Sequence, residues 1–289
     1  MRWPPPDDWP HAALSRQILA RPHRWHVQEA GSGPTLLILH GAGGSTHSMS
    51  GLFDNLRNDH HLVALDLPGQ GFTRLGARHR CGLDPMAKDI ASLCLQQGWQ
   101  PDAIIGHSAG GALALRLSQT LLSPRGQRPR IIGINPALDT FDGIAGVLFP
   151  AMAKMLAAIP FTASLFSATS SSPGRIKALI GSTGSELSPA GLDFYQRLVA
   201  SRDHVDATLL MMSQWSLDPL TSDLPSLTSP ALFVVGERDG TVPVRVSYGA
   251  AQRMPDAVVK ELPDLGHLVH EEAPDLVAAQ IRSFLSASL

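Results

Sequence analysis

The chain has little cysteine: Cys81 and Cys94 are the only two among its 289 residues. Two cysteines without metal-ligand spacing are neither a disulfide framework nor a zinc site, so both are predicted to be reduced thiols that pack as small apolar groups. The histidines, aspartates and glutamates also lack the spacing of a metal site. We therefore expect no metal ion and no other cofactor.

Charge of one sign and long apolar runs are also missing. The 23 Lys and Arg residues are scattered, and the net charge is −2, so no basic stripe attracts a nucleic acid. Residues 1–10 are rich in Pro and Trp, lack the apolar stretch of a secretory signal and are interpreted as an extended arm. Because no uninterrupted apolar run has the length of a membrane span, a cytoplasmic protein is expected.

Short apolar runs alternate with helical patterns along the chain. This alternation is typical of an α/β protein whose mostly parallel, twisted sheet is flanked by helices. Residues 24–28 precede the series and are expected to form an antiparallel edge strand. The predicted parallel strands cover residues 35–39, 62–66, 102–105, 130–134, 231–235 and 258–262, and a closing helix covers 274–285.

Residues 138–225 interrupt this alternation with helical stretches and Ser, Pro and Gly turns. They are predicted to form a helical cap inserted into an α/β core made of residues 1–137 and 226–289. Such a cap covers the carboxyl ends of the strands, where open sheets bind ligands. Within it, residues 144–166 are apolar except for Lys154 and form either a buried lid or a membrane-touching surface. The lid is favoured, because membrane-surface helices usually carry several basic residues.

The pentapeptide Gly106-His107-Ser108-Ala109-Gly110 has the pattern G-x-S-x-G between a predicted strand and a predicted helix. A serine hydroxyl is a weak nucleophile and has to be presented on a sharp turn, where glycines avoid steric clashes. This context predicts that Ser108 is a catalytic nucleophile.

A serine nucleophile needs a base, and the base needs an acid that orients it. Asp239 follows the predicted strand 231–235, and His267 follows the strand 258–262, in the order Ser, Asp, His that this arrangement uses. Glu237 is the rival acid, but the turn formed by Gly240 and Pro243 favours Asp239. The predicted catalytic residues are therefore Ser108, Asp239 and His267.

Acyl transfer also needs two backbone amides that stabilise the developing oxyanion. One is expected from Ala109, directly after the nucleophile. The second is expected from the loop His40 to Gly44, with Ala42 as the first candidate and Gly43 as the next. A phosphate-binding loop is excluded here because no Gly-Lys-Ser/Thr sequence follows the glycines.

Further residues are candidates for the wall of a substrate pocket. Met212 and Trp215 more often serve as packing residues, so a place in the interior of the cap competes with substrate contact for both. The candidate substrate-binding residues are Gly43, His47, Phe72, His107, Asn135, Met212 and Trp215.

Taken together, these motifs resemble the α/β-hydrolase superfamily over nearly the whole chain from Arg24 onward. Within it, the chain resembles the magnesium-chelatase accessory proteins of bacteriochlorophyll biosynthesis in phototrophic bacteria. The segments that carry this second likeness are the Trp- and Pro-rich start and residues 24–28, 43–48, 67–73, 106–111, 133–137, 211–215 and 266–272.

The resemblance implies a role near magnesium insertion into a tetrapyrrole. The partners it implies are a large hydrophobic small molecule such as a Mg-porphyrin, the magnesium-chelatase subunits and, through the cap, the membrane periphery. Magnesium insertion does not need a serine nucleophile, so two functions stay open. The first is hydrolysis of an ester or related acyl bond; the second is a non-catalytic porphyrin-binding accessory role. The same triad also supports cofactor-free C–C hydrolysis or perhydrolysis as a third interpretation.

Overall fold

The computed structural model describes residues 1–138 and 172–287. Its strands are β1 (Ser15–Ala20), β2 (His23–Ala30), β3 (Thr35–Leu39), β4 (His61–Leu65), β5 (Ala103–His107), β6 (Arg130–Ile134), β7 (Ala231–Gly236) and β8 (Ala257–Leu262). They form one sheet in the order β1-β2-β4-β3-β5-β6-β7-β8. The strands from β4 to β8 in that order are parallel, whereas β1 and β2 are antiparallel. The predicted strands and the antiparallel edge are confirmed.

Helices pack on both faces of this sheet. The described helices are α1 (Ser50–Leu56), α2 (Leu83–Gln97), α3 (Ala109–Ser118), α4 (Pro173–Ser182), α5 (Pro189–Ala200), α6 (Arg202–Gln214), α7 (Asp218–Asp223), α8 (Val244–Arg253), α9 (Val269–Glu272) and α10 (Pro274–Ser286). Residues of α2, α3 and α8 belong to the apolar core on one face, and residues of α1 and α10 to the core on the other.

The alternation of side chains along β3 shows why its sequence is apolar throughout. Leu37 and Leu39 belong to the first core, whereas Leu36 and Ile38 belong to the second. A parallel strand covered by helices on both faces has no solvent side, so it needs apolar residues at successive positions. Because β3, β5, β6, β7 and β8 run parallel, their carboxyl ends lie at one edge of the sheet, and the loops at this edge carry the candidate site.

The helices α4 to α7 lie between β6 and β7 in the chain. A third apolar cluster joins α4 and α5 to the loops at this edge of the sheet. Its buried members are Trp9, Phe72, Ile176, Ile180, Tyr195, Leu198 and Leu268. The predicted apolar run at residues 144–166 lies outside the described residues.

The N-terminal arm, residues 1–11, is not extended as predicted. The amide of Trp9 donates to the carbonyl of Pro6 at 2.9 Å, and the amide of Ala12 donates to the carbonyl of Trp9 at 3.0 Å, so the arm turns back on itself. The turn buries the indole of Trp9 against Phe72 and Phe194, with ring centroids 5.0 and 5.2 Å away. The free energy gained by burying the apolar surface of Trp9 is larger than the preference of the prolines for an extended backbone.

Both cysteines are buried thiols. Burial raises the pKa of Cys81 to about 11 and that of Cys94 to about 12, so neither forms the reactive thiolate near neutral pH. In the two described ranges, no helix is long and apolar enough to span a bilayer.

Candidate active site

Ser108 lies at the sharp turn between β5 and α3. Its backbone has φ 51° and ψ −116°, a conformation that a residue with a side chain adopts only where its surroundings enforce it. The amide of Ser108 donates to the carbonyl of Ile134 at 2.9 Å, and its carbonyl accepts the amides of Gly111 and Ala137 at 2.9 and 3.1 Å. These bonds hold the turn from both sides, and the Ser108 side chain stays partly exposed.

The glycines of the pentapeptide allow this turn to form. A Cβ at Gly106 would lie 2.0 Å from the carbonyl oxygen of Gly110, and a Cβ at Gly110 would lie 2.5 Å from the carbonyl oxygen of Leu39. Any side chain at either position would therefore force α3 away from the sheet. The motif thus follows from close backbone contacts on either side of the serine.

Asp239, in the loop after β7, has a fully buried carboxylate with four hydrogen bonds. Its Oδ1 accepts the amides of Thr241 and Val242 at 2.7 and 2.8 Å. Its Oδ2 accepts from His267 Nδ1 at 2.7 Å and from Asn135 Nδ2 at 2.6 Å. A buried carboxylate with this many donors is held in one orientation.

The rival acid, Glu237, is exposed. Among the described residues, its carboxylate has no hydrogen bond to His267 and accepts the amide of Asp264 at 3.4 Å. Of the two acidic candidates, it is Asp239 that the fold brings to His267.

His267, in the loop after β8, is nearly buried, with 6% of its surface exposed. Because the carboxylate of Asp239 can only accept, the imidazole Nδ1 carries the proton and Nε2 keeps its lone pair. Behind the ring, His107 Nε2 donates to the carbonyl of His267 at 3.0 Å, and the two rings lie 4.7 Å apart. Burial, with His270 and His267 nearby, lowers the pKa of His107 well below its ordinary value, so this supporting ring stays neutral.

The loop after β3 contains Ala42 and Gly43, the two candidates for the second oxyanion donor, and their amides differ in whether they already donate a hydrogen bond. The amide of Gly43 donates to Gln70 Oε1 at 2.8 Å, so it is already engaged. Among the described residues, the amides of Ala42 and Ala109 have no acceptor. A Cβ at Gly41 would lie 3.0 Å from Ser108 Cβ, which puts this loop against the nucleophile turn. The geometry thus favours Ala42 over Gly43 as the second donor.

The remaining pocket candidates lie in different surroundings. His47 and Phe72 are buried beside Trp9 in the aromatic cluster, and burial lowers the pKa of His47 to about 3. Asn135, at φ 43°, donates to Asp239, and its buried Oδ1 has no hydrogen-bond partner among the described residues. On α6 and just beyond it, Met212 is 41% exposed, whereas Trp215 packs partly buried against the first core.

One buried pair near His267 has no counterpart among the sequence predictions. Tyr195 Oη on α5 donates to Glu271 Oε1 on α9 at 2.5 Å. Burial raises the pKa of Glu271 to about 8 and that of Tyr195 well above its ordinary value. No local motif marks such a pair, because its partners lie on separate helices.

The raised pKa of Glu271 predicts that stability falls as the pH rises. In the unfolded chain the carboxyl loses its proton near pH 4.5, whereas in the folded chain it keeps the proton up to about pH 8. Between these values the folded state binds more protons, so the free energy of unfolding decreases with pH. We expect Glu271→Gln, which still accepts from Tyr195, to gain about 4 kcal/mol relative to wild type between about pH 5 and pH 8.5.

Urea unfolding at a series of pH values measures this difference. Glu237→Gln is the matched control, because Glu237 is exposed and its replacement should leave the pH dependence unchanged. Parallel curves for wild type and Glu271→Gln would contradict the assignment of this titration to Glu271.

A metal centre has no support among the residues that the structure describes. No group of three or more His, Cys, Asp or Glu side chains in this part of the chain could hold a metal ion.

The fold agrees with the known proteins that this chain resembles. The model of the α/β-hydrolase fold family matches residues 34–274, and the chain belongs to this family. The chain is also 43% identical, over 97% of its own length and 97% of the relative's, to the magnesium-chelatase 30 kDa subunit of Rhodobacter capsulatus. The predicted fold class and the predicted resemblance are both confirmed.

More distant relatives include an esterase. The chain is 24% identical to the pimeloyl-(acyl-carrier protein) methyl ester esterase of Xanthomonas axonopodis pv. citri, covering 91% of this chain and 99% of that protein. The solved structure of an esterase from Exiguobacterium antarcticum superposes with a TM-score of 0.76 at 16% identity, covering 94% of this chain and 99% of that one. At this identity the structural likeness supports the fold alone.

Proposed function

We propose that the chain is a serine hydrolase that cleaves an ester or related acyl bond. The observation that carries the proposal is the buried Asp239–His267 hydrogen bond of 2.7 Å, formed at the same sheet edge as the sharp turn that presents Ser108. His267 Nε2 takes the proton of Ser108 as the serine Oγ attacks the carbonyl carbon, and the amides of Ala42 and Ala109 stabilise the oxyanion. His267 then gives this proton to the leaving alcohol oxygen as its bond to the acyl carbon breaks. In the second half of the reaction, His267 takes a proton from the water that attacks the acyl-serine and returns it to Ser108 as the acid is released.

The substrate we propose is large and hydrophobic and belongs to tetrapyrrole biosynthesis near the magnesium-chelatase step. The name of the relative from Rhodobacter capsulatus supports this substrate class. Helices α4 to α7 belong to the cap that we assign to residues 138–225. Contact of this cap with a membrane surface or with chelatase subunits stays a prediction.

A non-catalytic role is the second candidate function. The name of the same relative favours it, since a chelatase subunit could hold a porphyrin without cleaving it. The buried hydrogen bonds of Asp239 count against a non-catalytic role, because holding a porphyrin does not require a carboxylate that orients a histidine.

Labelling with a fluorophosphonate probe tests the nucleophile. We expect wild type to be labelled, Ser108→Ala to be unlabelled, and the labelling of wild type to fall when the monomethyl ester of magnesium-protoporphyrin is added. Time-dependent release of methanol or of the free acid from that ester would establish hydrolysis. A folded wild type that is not labelled would overturn the hydrolase proposal, and release of the porphyrin unchanged would favour the binding role.

Ser15→Ala is the matched control for this experiment. Ser15 Oγ lies 2.9 Å from His26 Nε2, and His26 Nδ1 lies 2.6 Å from Asp66 Oδ2, so these three residues imitate a triad in composition. Asp66, however, also accepts the amides of Thr46 and Phe72, and Ser15 sits in an edge strand rather than on a sharp turn. Labelling should therefore be unchanged in Ser15→Ala.

A further inference from the structure

The turn that follows α4, residues Thr183–Ser185, lies between the loop of the candidate acid and the loop of the candidate base. The carbonyl oxygen of Thr183 accepts two amides: that of Gly240 at 3.0 Å and that of His267 at 3.1 Å. Gly240 directly follows Asp239, so one oxygen is bonded to both loops. The sequence predictions placed this turn inside the cap and gave it no role at the catalytic residues.

A side chain of the same turn adds a second bond to the base loop. Ser185 is 1% exposed, and its Oγ accepts the amide of Leu268 at 2.8 Å. Nearby, the carboxylate of Glu272 accepts the amides of Gly266 and Glu186 at 3.0 and 3.3 Å. The amides of residues 266, 267 and 268 are thus all held by groups outside their own loop.

Three glycines make these close contacts possible. Gly184 has φ +81°, and a Cβ there would lie 1.9 Å from the carbonyl oxygen of Arg238. A Cβ at Gly266 would lie 2.4 Å from Ser185 Oγ, and one at Gly240 would lie 2.7 Å from the carbonyl oxygen of Ser182. The backbones of the turn and of both loops are therefore in direct contact, with no space for a side chain between them.

We infer that the Thr183–Ser185 turn is a positioning element that sets the His267 imidazole relative to Asp239 and Ser108. This inference rests on the proposed hydrolase function. The acid and base loops leave neighbouring strands, β7 and β8, whose pairing ends at Gly236 and Leu262. Beyond that point the turn supplies bonds that tie the two loops together.

Gly184→Ala tests this role, because the new Cβ has to push the turn away from Arg238. Gly181→Ala is the matched control: Gly181 lies three residues earlier, in the last turn of α4, and a Cβ there meets nothing within 4 Å. Since a misplacement of about 1 Å at a catalytic group can cost on the order of 10²-fold, we expect kcat to fall by about that factor in Gly184→Ala. The KM should stay within about twofold, because binding does not use the turn.

The kcat is measured on an activated ester, per active site titrated with the fluorophosphonate and well below the unfolding temperature. Loss of folded protein alone would lower the number of titrated sites and leave kcat per site unchanged. Gly181→Ala should match wild type. A Gly184→Ala protein with wild-type kcat per site would overturn the inference, whereas an inactive wild type would overturn only the hydrolase function.

Amide hydrogen exchange tests the same geometry without any activity. Ser185→Ala removes the acceptor of the Leu268 amide, so exchange at Leu268 should accelerate by at least about tenfold, since a lost hydrogen bond is worth about 1.5 kcal/mol. In Gly184→Ala, the amides of Gly240 and His267 should accelerate as well. If these amides exchange at wild-type rates in both variants, the turn does not hold the loops and the inference fails.

Discussion

Replacing Asp239 with asparagine is expected to lower kcat/KM for an ester substrate by about 10³- to 10⁴-fold while the protein remains folded. The side-chain oxygen of the asparagine still accepts hydrogen bonds from the amides of Thr241 and Val242, because these two donors need an acceptor. Its NH₂ group then faces His267 Nδ1, from which the native carboxylate accepts a hydrogen bond. The imidazole is driven into the tautomer that carries its proton on Nε2, and that nitrogen can no longer take the proton of Ser108.

The fold should tolerate this change because of Asn135. Its amide can rotate so that the oxygen, which has no partner in the native arrangement, accepts from the new NH₂ group. Glu237→Gln is the control, since the exposed Glu237 does not contact the base. Steady-state kinetics combined with thermal unfolding make the comparison. If kcat/KM falls equally in the two variants, or does not fall in Asp239→Asn, Asp239 is not part of the triad.

Trp9→Ala is expected to lower the free energy of unfolding by about 3 kcal/mol or more. The indole is 1% exposed, and its ring lies within 5.4 Å of the rings of His47, Phe72 and Phe194. Truncation removes these ring contacts and leaves a cavity between the core loops and α5. Denaturant titration of the purified variant measures the loss.

Trp3→Ala is the natural comparison, because both tryptophans belong to the N-terminal arm. Trp3 is 37% exposed and contacts only the ring of His26 among the aromatic pairs of the described residues, at 5.8 Å. Its loss should cost less than about 1 kcal/mol. If the two variants are destabilised equally, the arm does not depend on the buried indole.

The sequence was most informative where chemistry demands a local pattern. The glycines around Ser108 occur because the turn has no room for side chains, so the pattern could be recognised without a structure. The loops that carry Asp239 and His267 could be predicted in the same way, since each directly follows an apolar strand. Apolar residues at successive positions also predicted the parallel strands, because a strand buried on both faces leaves no polar positions.

Contacts between distant segments could not be predicted in this way. Gln70 engages the amide of Gly43, and Asn135 supports Asp239, yet neither residue differs in its local sequence from an ordinary loop polar group. The hydrogen bonds that the Thr183 carbonyl accepts are harder still to predict, because every residue type has the same backbone oxygen. The prediction of an extended arm was wrong for a related reason. Prolines indicate a stiff backbone, but the residues that pack around Trp9 lie far along the chain.

The buried Trp9 also has a consequence for the order in which the chain assembles. A ribosome makes the arm well before Phe194, which contacts the indole from a helix much later in the chain. Until that helix exists, the indole has no complete place to pack and stays open to water or to a chaperone. The arm therefore packs only after a much later segment has been made, and its long-range contacts slow the search for the native state.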